Sequence, residues 1–393
     1  MKNIVFFNDF GLPLSCANAT RVWNFAKMLE KQYEITVIGV SYGDNNKTSL
    51  VGEYKQFSYS MLKAPNMKGW KAIRRRRILA KMIEKELSNI LNKGNTSAII
   101  LSNIYFDYSS CLIKLSEKYG VPLIVNEVEW YEKDNDYFAG LFGKVKLLQN
   151  RIALTDIHVR MKNIIAISSL LDKYYTSHGC NTVKIPTIID MDEYNDYKNF
   201  CCSNEKLIIA YAGSPAKKDY VGNAIIALSM LEDETRKRIC LHFYGATKET
   251  FIDLGLQESI LDTVSSSVVF HGRIPHEEVK KQISKADFTI LLRPNKRYAN
   301  AGFPTKVGES MACGVPVIGN ITSDLGEFYV DGYNAIVCRD ETPESCAEAF
   351  RKGLSLTERE KNSMRKNAYE TAMKKFDLSE YSEKMKNFLM MVL

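Results

Sequence analysis

The 393-residue sequence contains no run of about 18 apolar residues, so no stretch of it is suited to crossing a membrane as a helix. Its nine cysteines include no Cys-x-x-Cys pair, and the one adjacent pair, Cys201 and Cys202, cannot easily bridge itself. That excludes a zinc ribbon or a disulfide framework and predicts a reducing, cytoplasmic compartment. No Gly-x-Gly-x-x-Gly follows an apolar run, which disfavours a dinucleotide oxidoreductase. The five histidines show no metal-ligand spacing. No repeat of solenoid period and no low-complexity tract occurs. The opening "MKNIVFFNDFGLPLS" reads as a first buried strand rather than a secretion signal.

What is present is an ordinary globular composition, 45% hydrophobic and 25% charged, over a length that accommodates two cores. Short apolar runs alternate with helical periods. The first series is Ile4–Phe7, Ile35–Val40, Ala98–Leu101, Pro122–Val125 and Ile164–Ile167. The second is Leu207–Ala212, Cys240–Tyr244, Val268–Phe270, Phe288–Leu292, Val315–Ile318 and Ala335–Val337. Strand–helix alternation of this kind predicts an α/β protein with two doubly wound, Rossmann-like parallel sheets covered by helices. The turn-rich segment from 185 to 206 marks the expected break. The reading is a first domain over 1–187, a second over 188–375, and a last helix, 376–393, that crosses back to the first.

The chemistry concentrates in "RPNKRYANAGFPTKVGESMACGVPVIGN". In parallel sheets ligands gather at the strand C-termini, where helix N-termini offer free N–H groups and positive dipole ends. Arg293 follows a strand, and a helix begins near Pro304, so Ala301, Gly302, Phe303 and the amides of Thr305 and Lys306 form an expected anion cradle. Gly302 is read as the glycine that permits close approach. Lys306 adds a full charge, and Glu309 one turn on suits a vicinal diol such as a ribose. A second element, "IIAYAGSPAKKDYVGNAIIAL", places Gly213, Ser214 and Lys217 or Lys218 at the mouth of the second domain's first strand. Lysines converging with a helix dipole fit a departing diphosphate.

With these residues in view, the sequence resembles the family-4 retaining glycosyltransferases of the GT-B fold, most densely from Leu207 to Val337. The resemblance implies two such domains facing across a cleft, with the nucleotide-sugar donor on the second and the acceptor on the first. Glu309 and "MACGVPVIG" match the family's second-domain motif, whereas Ala301 stands where the family has its first glutamate and Ser214 where it has arginine. Lys218 falls on the family's lysine, with Lys217 as the near alternative, and Arg293 could supply the lost charge. Gly272 and Arg273, in "VVFHGRIP", resemble its nucleobase wall. In the first domain Gly11 stands in the loop after the first strand. Glu127 and Glu129, in "VPLIVNEVEWY", are the catalytic-pocket candidates, Glu129 preferred as the later of the two. Pro304, Lys306 and Glu309 resemble a bacterial surface-polysaccharide subgroup, which implies a hexosyl transfer with retention to a saccharide carried on a polyprenyl diphosphate.

Each feature also has a plainer reading. Glu309 could cap its helix, Lys217 and Lys218 could be a solvated helix entry, and Glu127 or Glu129 could face solvent. The acidic triplets 134–136 and 190–192 are set aside as turn sequence, so neither a metal nor another cofactor is expected. Residues 63–87 hold nine Lys and Arg against Glu84 and Glu86, so this stretch alone carries the chain's net charge of +7. With Trp70 beside Arg74–Arg77, the segment 68–77 suits an anionic membrane surface, as does 141–152, where Leu141, Val145, Leu148 and Ile152 are flanked by basic residues. That implies peripheral attachment at the inner face of the membrane. Aromatics are not interleaved with the charges as nucleic-acid binding would require. The alternatives are a nucleotide-sugar epimerase of the same fold and a non-catalytic sugar-nucleotide-binding protein.

Overall fold

The computed structural model describes residues 1–13, 16–42, 49–66, 72–104, 106–132, 140–201, 204–215 and 218–393. Its contacts divide it into two units. Met1–Pro186 and Tyr381–Leu393 form the first, and Thr187–Glu380 the second.

In the first unit the strands are β1 (Asn3–Asn8), β2 (Glu34–Tyr42), β3 (Ser49–Tyr54), β4 (Phe57–Ala64), β5 (Thr96–Ser102), β6 (Leu123–Glu127), β7 (Asn163–Ala166) and β8 (Asn181–Lys184). They lie in the order β3-β4-β2-β1-β5-β6-β7-β8. β1, with every residue buried, is a central strand, as its unbroken apolar run requires when helices cover both faces. The sheet is not wholly parallel as expected. β3 runs antiparallel to β4, joined through Lys55 and Gln56, with Lys55 at φ 54°. So short a loop permits only an antiparallel return.

The helix Ala72–Leu91 buries Leu79, Ile83, Leu87 and Leu91 beneath the exposed Arg74 and Arg77. Trp70 and Lys68 of the basic segment, and the triplet 134–136, lie outside the described residues. On the helix Gly140–Ile152 the side facing the core carries Leu147 and Asn150. Val145 and Leu148, predicted to share an apolar stripe, are 48% and 58% exposed beside the exposed Lys144, Lys146 and Arg151. No helix among the described residues is long and apolar enough to cross a membrane.

The second unit contains β9 (Leu207–Ala212), β10 (Ile239–Tyr244), β11 (Val268–Gly272), β12 (Phe288–Leu291), β13 (Val317–Asn320) and β14 (Ala335–Cys338), all parallel. Their order is β11-β10-β9-β12-β13-β14. The winding reverses between β9 and β12, which opens a crevice at the carboxyl ends of those two strands. Alternation along β9 and β10 sends Ile209, Tyr211, Leu241 and Phe243 into one core. The opposite face presents the small side chains Ala210 and Ala212. Arg365, fully buried, ties the helix Glu358–Lys375 down by donating to the carbonyls of Asn199, Ser284 and Ala286.

Candidate functional site

At the reversal point of the second unit, two strand ends and one helix start meet. β9 ends at Ala212, and Gly213 turns the chain with φ 139°. β12 ends at Leu291 and leads to Arg293, which is buried. Its backbone is fixed by Asn320, whose amide side chain bonds both the Arg293 N–H (2.9 Å) and carbonyl (2.7 Å). The helix Thr305–Ala312 starts here with Pro304 at its cap and no side chain capping it, so its first amides and its positive dipole end face the crevice.

Asp219 occupies the centre. The Lys306 amine donates to its Oδ2 at 2.8 Å, the Tyr211 hydroxyl donates to the same oxygen at 2.9 Å, and Arg293 Nε lies 3.6 Å from Oδ1. Burial pushes the Asp219 carboxyl up, but Lys306 and Arg293, with the two hydrogen bonds, bring it below its ordinary range. Burial and the neighbouring Asp219 push the Tyr211 hydroxyl far above its own. The Lys306 amine also sits 5.2 Å above the centre of the Tyr211 ring. Its path is permitted by Gly213: a Cβ there would stand 2.5 Å from Lys306 Cε and 3.2 Å from Nζ.

One turn beyond Lys306, Glu309 lines a pocket between the helices His276–Ile283 and Thr305–Ala312, over Ala210 and Ala212. Among the described residues no hydrogen bond or ion pair engages the Glu309 carboxylate. Tyr194, in the same pocket, is pushed well above its ordinary value by burial and then by Glu309. The architecture supplies cations at one end, a carboxylate acceptor in the middle and small side chains as a floor.

The remaining expected residues divide. Thr305 opens the helix, Lys218 adjoins Asp219 and is half-buried, and Ser214 is exposed on the turn. Lys217 lies outside the described residues. Ala301 is fully buried in the short helix Arg297–Ala301, and the Phe303 ring packs on Phe328 and Phe376, so only their backbones remain for a ligand. Gly302 adopts φ −87°, ψ 162°, backbone open to any residue, whereas Gly213 has φ 139°. Gly272, with φ 61°, ends β11, and Arg273 after it is exposed. Beside them His271 stacks on Tyr244 at 4.3 Å and meets His242 through a 2.9 Å nitrogen–nitrogen contact. Among the described residues no three His, Cys, Asp or Glu side chains gather as metal ligands.

In the first unit the corresponding reversal lies between β1 and β5, where Gly11 is half-buried. Asp9 accepts hydrogen bonds there from Tyr42 (2.6 Å) and Tyr108 (2.7 Å). The two glutamates differ in burial. Glu127 is buried, its Oε2 2.6 Å from His158 Nδ1 and 3.3 Å from the Tyr175 hydroxyl. Glu129 is half-buried, and both glutamates line one pocket together with Asn103, Asn126, Tyr131 and His158. His158 and Tyr175 orient the Glu127 carboxylate at the wall of that pocket. Sequence reasoning missed Asp219 and Asp9. For Asp219 the signal was its position directly after Lys217-Lys218, before a helix.

Residues 199–371 match the family described as glycosyl transferases group 1. An uncharacterized glycosyltransferase of Methanocaldococcus jannaschii is 22% identical over 254 residues, 63% of this chain, and the chain spans only 59% of that relative. Sucrose-phosphate synthase from Thermosynechococcus elongatus superimposes with a TM-score of 0.75 at 13% identity, covering 100% of this chain and 99% of that one. HepE of Anabaena, solved in complex with UDP and glucose, gives 0.69 at 14% identity and covers 100% of both chains. The chain has the GT-B fold of these structures, and residues 199–371, in its second unit, are similar to the glycosyl transferases group 1 family.

Proposed function

We propose that this protein is a retaining glycosyltransferase that moves a hexose from a nucleotide diphosphate-sugar to a saccharide carried on a polyprenyl diphosphate, in cell-surface polysaccharide assembly. The observation that carries the donor half is the convergence of Lys306, Arg293 and an uncapped helix start at the winding reversal, one turn from Glu309. The diphosphate lies against those cations, the ribose hydroxyls donate to Glu309, and Gly272 and Arg273 border the base. HepE in its complex with UDP and glucose supports the ligand class.

In the reaction the bond from the sugar's anomeric carbon to the diphosphate oxygen breaks, and its electron pair stays on the phosphate. The acceptor hydroxyl oxygen bonds that carbon, on the face the phosphate leaves, and passes its proton to an oxygen of the departing phosphate. Charge on the leaving oxygen grows toward the transition state, so fixed cations favour the transition state over the ground state. Lys306, Arg293 and Lys218 are the cations that supply this, without a metal ion. Glu129 is the first-unit residue assigned to the acceptor side. Backbone amides of 301–303 take the place of the side chain that Ala301 lacks.

The exposed Val145 and Leu148 among Lys144, Lys146 and Arg151, with Arg74 and Arg77, support attachment to an anionic membrane surface. The test of the whole reading is a panel of nucleotide diphosphate-sugars, scored for release of nucleoside diphosphate in the presence of short polyprenyl diphosphate-saccharides. Release from one donor that depends on the lipid-linked acceptor establishes the reading. Release independent of acceptor lipid discards the acceptor assignment, and interconversion of the donor sugar without release makes the protein an epimerase.

A further inference from the structure

Asp219 is unexpected in a site built for anions. It stands 2.8 Å from the amine that would grip a diphosphate and 3.6 Å from the guanidinium beside it. It is not a stray surface group: its side chain is 11% exposed, and the Tyr211 hydroxyl fixes it at 2.9 Å. Lys306 runs over the bare Cα of Gly213 to reach that carboxylate. The protein therefore carries, in its phosphate-binding crevice, an anion of its own that already uses the two cations.

We infer that Asp219 sets the charge selectivity of the site, favouring the donor over the spent nucleoside diphosphate and so assisting product release. This rests on the donor reading above. In a nucleotide diphosphate-sugar both phosphates are esterified at their outer ends, and each bears a single charge. Once the sugar leaves, the terminal phosphate gains a second ionisation with a pKa of about 6, so near neutral pH the product carries additional negative charge. That charge appears on the phosphate next to Lys306. A fixed carboxylate within a few ångströms repels product more than donor, and in a partly buried crevice the difference is weakly screened. Asp219 also offers Lys306 a partner to return to when the product departs. It acts through Lys306 and through the field, as a positioning residue.

The test compares Asp219→Asn with wild type by calorimetric titration at low salt. The probes are UDP, GDP and ADP and the matching nucleotide diphosphate-glucoses. Asn keeps the shape and an acceptor for Lys306 but removes the charge. Asp219→Asn is expected to tighten nucleoside diphosphate binding roughly tenfold and the sugar nucleotide only about threefold, narrowing the gap between them. Tyr211→Phe loosens the carboxylate without removing its charge and should leave the ratio unchanged. Equal shifts for both ligands, or weaker product binding by a folded Asp219→Asn, would overturn the inference while leaving the donor site intact. If folded wild type binds none of the six probes, the donor reading fails and this inference fails with it.

Discussion

Lys306 and Gly213 are in closer register than any two side chains could be, because one of them has none. The lysine's Cε would stand 2.5 Å from a Cβ at 213, and the backbone there has φ 139°. The loop after β9 and the helix after β12 are thus fitted to one another at the position where the winding reverses. Gly213→Ala displaces the flexible end of Lys306 and adds a backbone penalty of about 1–3 kcal/mol. The expected outcome is loss of nucleoside diphosphate affinity together with a lowered melting temperature. Calorimetric titration and thermal denaturation of the same preparation check it.

Glu309→Ala removes the acceptor proposed for the ribose. Losing a hydrogen bond to a charged group costs about 1.5–3 kcal/mol, which corresponds to roughly ten- to a hundredfold weaker nucleotide binding. A nucleotide lacking the ribose 2′-hydroxyl should bind wild type weakly too, and should lose less on mutation. An unchanged affinity in the folded variant removes Glu309 from the site.

The histidine stack gives the second unit a pH dependence. Burial lowers His242 and His271 from their ordinary values, and His271 lowers His242 further. A base whose folded value lies below its unfolded one binds fewer protons when folded. The unfolded chain then gains protons first as the pH falls through about 6.5, and stability drops with it. The melting temperature should decline from pH 7.5 to 5.5, and less steeply in His242→Gln/His271→Gln. A flat profile in wild type would show that the pair titrates alike in both states.

Changing Arg74, Arg77, Lys144 and Lys146 to Gln should abolish co-sedimentation with vesicles rich in anionic lipid, since each surface cation contributes about 1 kcal/mol. Val145→Ser/Leu148→Ser should weaken it at high salt as well, because apolar insertion is not screened. Wild type that ignores such vesicles at low salt shows that these charges form a solvated face.

The strands were legible wherever an apolar run was uninterrupted, as in β1 and β9, because a strand buried on both faces has no polar positions to disguise it. The β3–β4 hairpin was hidden in "SLVGEYKQFSYSMLKA", where polar residues alternate with apolar ones and no run signals a strand. The helix 140–152 shows the limit of periodicity: Leu148 and Leu147 are equally apolar, and only packing decides which is buried. Lys306, Glu309 and Gly213 stood out through spacing and special residue type. Asp219 did not, since a lone aspartate after two lysines looks like solvated charge until Tyr211 and Arg293 are brought beside it. Which glycine mattered was also a three-dimensional question. Gly302 and Gly213 look alike in sequence, but Gly213 has φ 139° and the Lys306 side chain over its Cα, whereas Gly302 has φ −87°.

The role assigned to metal ions is tested by turnover in excess EDTA. The cations at the crevice are expected to sustain transfer without a divalent ion, so the rate should be unaffected. Activity lost in EDTA and restored by Mn²⁺ or Mg²⁺ would contradict this and bring Asp190 and Asp192 back into consideration.

The central claim, that the crevice between β9 and β12 holds the diphosphate of a nucleotide through Lys306, is tested most directly by one titration. Nucleoside diphosphates are titrated into wild type and into Lys306→Ala, with folding checked by circular dichroism. Saturable binding to wild type that weakens by roughly tenfold or more in Lys306→Ala is the expected result. Equal affinity in the two folded proteins would place the nucleotide elsewhere and contradict the account.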